Sequence, residues 1–128
     1  MLLTEEDTKA VKAYLLIPVA IDTLTLNIDK LLKADLKLPE LFIGQLDVIR
    51  SALLKQHIEV KKTLRKLGVK VHTERKEKHG IFAEYKCRGY DHKMELHSSL
   101  IRADLMVMFS EVIGVNLEKI NPNLFTYK

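Results

Sequence analysis

The sequence predicts a mainly α protein, a bundle of long helices in the order α, α, β-hairpin, α. Three observations carry this reading. Apolar residues recur at helical spacing along most of the chain, one internal stretch switches to period two, and single glycines stand where the helical patterns stop. At 128 residues the chain fits a single domain, and 47% hydrophobic with 30% charged residues is the composition of a folded globular chain rather than a disordered one.

The first helix is expected over about residues 4–34. It opens at "TEED", where the Thr4 hydroxyl is followed three residues later by the acid Asp7, the pattern of a capping box. Tyr14, Ile17, Ile21, Leu24, Ile28 and Leu31 then follow in steps of 3, 4, 3, 4 and 3, which places them on one stripe. Pro18 falls inside that stripe, and its missing amide predicts a kink or a split near Ile17. The second helix is expected over 39–67, with Pro39 at its first position and Gly68 ending it. Phe42, Leu46, Ile49, Leu53, Val60, Leu64 and Leu67 form its apolar seam.

A β-hairpin is expected over about 69–88. Val69, Val71 and Thr73 alternate with Lys70, His72 and Glu74, and after the turn "RKEKHG" the residues Ile81, Ala83, Tyr85 and Cys87 alternate with Phe82, Glu84, Lys86 and Arg88. A third helix is expected over 91–113, with Asp91 as N-cap, a stripe through Met94, Ile101, Leu105, Met108 and Val112, a second row through Leu96, Leu100, Ala103 and Val107, and Gly114 at its end. Residues 115–128 read as a polar tail in which Leu124, Phe125 and Tyr127 could fold back on the body. The wide apolar stripes exceed what three helices cover neatly, so self-association, through the first or second helix, is expected beside the monomeric bundle.

Charge is distributed unevenly. Residues 1–54 carry 6 bases and 8 acids, residues 55–93 carry 12 and 5, and residues 94–128 carry 3 and 4. The middle third is therefore the basic part of the molecule. Lys61, Lys62, Arg65 and Lys66 occupy the end of the second helix, and Lys70, Arg75, Lys76 and Lys78 continue through the first strand and turn. A helix followed by a basic two-stranded wing is the order of winged-helix DNA-binding proteins, so these eight are the candidate nucleic-acid contacts. Against that reading, residues 42–67 form one uninterrupted helix where a winged helix needs two short ones. An acidic protein partner would be served by the same charge, and a solvated helix end would carry it with no partner at all.

Enzymatic chemistry has little support. Asp91, His92, Glu95 and His97 lie close in sequence without HExxH or paired-cysteine spacing, so neither a metal nor another cofactor is expected. A thiolate pair of Cys87 with His92 would be the basis of a small enzyme, but strand alternation puts Cys87 on the buried face with Tyr85, where a thiol is inert. No phosphate loop, serine elbow or small-molecule site is evident. The single cysteine, an opening without a basic leader, and a longest apolar patch of nine residues broken by Pro18 lead to the expectation of a cytoplasmic protein with no membrane span.

The run "FAEYKCRGYDHKMELHSSLIRADL", Phe82 to Leu105, resembles segments of small uncharacterised proteins of Gram-positive phages and prophages. That resemblance implies an accessory or regulatory protein of a mobile element and supplies no catalytic residue or ligand. The expected function is that of a small non-enzymatic regulator or adaptor binding another macromolecule, either nucleic acid or an acidic protein.

Overall fold

The computed structural model describes residues 3–120, the side chain of Glu118 excepted. Its elements are helix α1 (Glu5–Lys33), helix α2 (Pro39–Leu67), strands β1 (Val69–Glu77), β2 (Gly80–Cys87) and β3 (Tyr90–His97), helix α3 (Ser98–Ile113) and a 3-10 turn at Leu117–Lys119. The fold is mainly helical, with one antiparallel sheet in the order β1-β2-β3. Leu124, Phe125 and Tyr127 lie outside the described residues.

Helix α1 starts where the capping box places it: the Thr4 hydroxyl accepts from the Asp7 amide at 3.1 Å, and the Asp7 carboxylate accepts from the Thr4 amide at 2.9 Å. Pro18 deprives the Tyr14 carbonyl of its usual donor, yet the helix runs unbroken through it. Helix α2 begins at Pro39 and ends at Gly68, whose φ of 71° is the left-handed cap that a side chain would resist.

Two features correct the expected order. The hairpin has a third strand, and α3 starts at Ser98 rather than at residue 91. The cause is the turn after β2. Arg88 and Gly89 take φ values of 49° and 90°, the two positive angles that a two-residue hairpin turn needs, and the chain doubles back with Tyr90 opposite Cys87. His92, Met94 and Leu96 then alternate with exposed Asp91, Lys93 and Glu95. Met94 also lies seven residues before Ile101, which is why it joins a helical stripe on paper. Asp91 is therefore a strand residue, and His97 caps α3 instead, its Nδ1 accepting from the Ser99 amide at 3.2 Å.

A further correction lies inside β1. The register with β2 slips between Val71 and Thr73, a bulge at His72. Directly opposed residues share a face, so Val69 and Val71, opposite Cys87 and Tyr85, point to the helices, whereas Thr73, opposite Glu84, points outward. Arg75 then joins the outer face and Lys76 the inner one, the reverse of simple alternation.

Helix α1 is the centre of the molecule. Val11 and Leu15 pack with Leu64 of α2 against Ile81, Ala83, Tyr85 and Cys87 of β2. Further along, Ile17, Ala20 and Leu24 meet Ile49 and Leu53 of α2, with Leu105, Met108, Phe109 and Val112 of α3 alongside. Burying a leucine such as Leu53, which has no exposed surface, stabilises by about 1.5–3 kcal/mol. With a window of mean hydropathy 1.4, α1 is also long and apolar enough by composition to cross a membrane, which the nine-residue patch alone did not suggest. Here its apolar faces are used against α2, α3 and the sheet.

Candidate macromolecular contact surface

All eight cations singled out in the sequence are exposed, but the fold divides them. Lys61 and Arg65, four residues apart, lie on one flank of α2; Lys62 and Lys66, each one residue further on, lie about 100° round the helix from them. Lys62 is 3.4 Å from Glu59. On the sheet, Arg75 stacks 4.5 Å from the Phe82 ring centroid on the outer face and lies 3.6 Å from Glu77. Lys76 sits opposite Ile81 on the helix side and reaches Asp22 of α1 at 3.8 Å. Lys78 is at the β1–β2 turn.

Three of the eight do converge. Lys61, Arg65 and Lys70 line a shallow depression of about 240 Å³ together with Tyr14, Leu64, Val69 and Val71, Lys70 reaching it from the edge strand β1. Among the described residues none of the three has an ion pair. The junction exists because Gly68 turns the chain within one residue from α2 into β1. On the outer sheet face Lys70 stands directly opposite Lys86, a like-charge neighbour relieved in part by Asp91, 3.9 Å from the Lys86 ammonium. Lys93 and Glu84 complete that mixed surface.

The junction is held from behind by a pair that the sequence reading missed. Asp7 is fully buried, and Arg88 donates to its two carboxylate oxygens at 3.1 and 2.6 Å while also donating to the Leu67 carbonyl at 2.6 Å. Arg88 thus neutralises a carboxylate and satisfies a carbonyl at the end of α2, where the helix dipole favours a cation. Its backbone amide donates to the Gly68 carbonyl at 2.8 Å. These bonds, chiefly those from Arg88 and then the Thr4 amide, hold the Asp7 carboxyl far below the usual range against the opposing effect of burial. Only the capping half of Asp7's role has a local sequence signal; nothing in the sequence links it to Arg88.

Cys87 lies on the buried face with Tyr85, as alternation predicts. Burial pushes its thiol pKa up, and the neighbouring Asp7 charge adds to the effect. His92 stacks on Tyr85 with ring centroids 5.5 Å apart, and no hydrogen bond between His92 and Cys87 is present among the described residues. Nor does any group of three His, Cys, Asp or Glu side chains there have metal-binding geometry.

Apolar surface is the other prominent feature. Leu54 and Ile58, 49% and 55% exposed, continue the flank of Lys61 and Arg65 towards the middle of α2. Helix α3 has no fully buried residue, and an open groove of about 620 Å³ runs beside it, lined by Leu24, Leu46, Ile49, Leu105 and Phe109 among others.

The sequence matches the family described as YhjD protein over residues 2–117. The chain belongs to that family. No curated protein and no solved structure matches it. The match runs from the α1 capping box to the 3-10 turn after α3, so the buried Asp7–Arg88 pair and the Lys61–Arg65–Lys70 junction both lie within the part of this YhjD family member that the family description covers.

Proposed function

We propose that this chain is a non-enzymatic cytoplasmic adaptor that binds an acidic, amphipathic segment of a protein along the basic flank of α2. The observation that carries the reading is the convergence of Lys61, Arg65 and Lys70 on a depression that they line with Tyr14, Val69 and Val71, with exposed Leu54 and Ile58 beside it. A helical partner with carboxylates flanking an apolar stripe complements both the charge and the apolar strip. A nucleic-acid backbone would use the charge and leave the leucine and isoleucine without a contact. It would also call for Lys62, Lys66, Arg75 and Lys76, which point to other sides or engage acids.

The test compares two labelled probes: an amphipathic helix with Glu at its charged positions and Leu on its stripe, and a random-sequence DNA duplex. The expected result is peptide binding that falls about tenfold or more for each of Lys61→Ala, Arg65→Ala and Lys70→Ala, and little for Lys62→Ala or Lys66→Ala. Tight duplex binding whose affinity drops steeply with salt, and which weakens on removing any of the eight cations, would overturn the reading in favour of nucleic acid.

A further inference from the structure

The exposed flank of α2 carries a pattern that identifies one occupant. Asp47, Ser51, Leu54, Ile58, Lys61 and Arg65 follow in steps of four, three, four, three and four, which sets them along a single line on the solvent side of the helix. Ser51, Leu54, Ile58, Lys61 and Arg65 are all exposed, as is Asp47. The step pattern reads the same in both directions about Gln56, but the charge does not: the acid is at the N-terminal end, the bases are at the C-terminal end, and the two large apolar residues are between them.

A helix with such a stripe is complementary to its own reversed copy. Two α2 helices running antiparallel about a two-fold axis at the level of Gln56 set Asp47 against Arg65 of the other copy, at both ends, and Leu54 against Ile58. The contact is isologous and closes on itself, as a two-fold dimer requires. Asp47 already accepts from Arg50 at 2.8 Å through Oδ1, which leaves Oδ2 for a second cation, and Arg65 has no ion pair among the described residues.

We infer that the amphipathic segment received by the α2 flank is α2 of a second copy of this chain, packed antiparallel through Leu54 and Ile58, with the carboxylate of Asp47 at one end meeting Arg65 at the other. The inference rests on the reading of that flank as a protein-binding surface and names its partner. Polar pairs at the two ends fix direction and register, while Leu54 and Ile58 supply the buried centre.

Sedimentation equilibrium on the full chain and on Asp47→Lys and Arg65→Glu variants tests it, with circular dichroism confirming that each stays helical. The wild type should have twice the chain mass. Each variant alone should be shifted to monomer, its dissociation constant raised about tenfold or more, because both end contacts become like-charged. An equimolar mixture of the two variants should recover the dimer, since in that pair both ends are again opposite in sign. A monomeric wild type that still binds the acidic peptide would overturn the dimer and leave the protein-binding reading standing. A wild type that neither dimerises nor binds the peptide would overturn both. A dimer untouched by the substitutions, or variants that do not complement one another, would overturn this interface.

Discussion

Arg88 Nη2 lies 2.6 Å from Asp7 Oδ2, and through that contact the first turn of α1, the last turn of α2 and the β2–β3 turn are joined at one buried point. Removing either partner leaves the other charge without compensation, so the effect on stability should exceed that of an ordinary surface ion pair. Thr4→Ala, which deletes only the cap, should cost about 0.5–2 kcal/mol in urea unfolding. Asp7→Ala and Arg88→Ala should each cost clearly more than Thr4→Ala, and the double variant less than their sum. Additive losses would show that the two side chains act separately.

Acid sensitivity should follow from the same pair. The Asp7 carboxyl titrates below its ordinary value in the folded chain, so the unfolded chain binds the proton first as pH falls. Its contribution is complete above about pH 5 and declines as pH drops through the unfolded value near about 4 towards the folded one. Asp7→Asn should flatten the stability profile in that window when urea midpoints are compared at successive pH values. An unchanged slope would remove Asp7 from the account.

His57 predicts a second, milder dependence. Burial first, and Lys61 second, hold its pKa below the ordinary value, so stability should fall as pH decreases below about 6.5, where the unfolded imidazole takes up a proton. Its ring stacks on Tyr14 with centroids 5.5 Å apart, and its buried Nδ1 has no hydrogen-bond partner among the described residues. His57→Phe keeps the stacking and removes the titration. It should raise stability at neutral pH by about 1 kcal/mol and abolish the slope below about pH 6.5, read by thermal melts.

Two glycines should respond in opposite senses. A methyl group on Gly44 meets nothing within 4 Å in the second turn of α2, so Gly44→Ala should stabilise by about 0.5–1 kcal/mol. On Gly80, which has φ of 154°, it would collide with the Leu96 carbonyl of β3. Gly80→Ala should therefore lower the melting temperature by disturbing the β2–β3 pairing, whereas Gly44→Ala should raise it.

Cys87 should react slowly with a neutral-pH thiol reagent in the folded chain and rapidly in urea. Its 2% exposure and raised pKa both withhold the thiolate. Fast labelling of the native chain would reopen the possibility of thiol chemistry with His92.

Much of the fold was legible because the helical stripes of α1 and α2 are also their burial faces: Ile17, Leu24 and Ile28 in the first, and Ile49, Leu53 and Leu64 in the second, are buried as periodicity implies. The third strand was hidden because Met94 and Leu96 satisfy period two and helical spacing alike, and the deciding signal, positive φ at both Arg88 and Gly89, comes from one residue type that tolerates it and one that seldom adopts it. The bulge at His72 has no local signature, yet it decides which face Arg75 and Lys76 take. Uneven charge was legible from counting; its division over several sides was not, because composition does not report direction. Within the eight basic positions, Lys61, Arg65 and Lys70 stand together because a glycine cap folds strand against helix, which is a three-dimensional fact.

The union of Asp7 with Arg88 also has a bearing on biosynthesis, since the two residues are 81 positions apart. At about 5–20 residues per second, a ribosome needs roughly 4–16 s to make the second after the first. Throughout that interval the nascent first helix carries a carboxylate whose native counter-ion does not yet exist, so its charge-paired docking must await synthesis of the turn between β2 and β3.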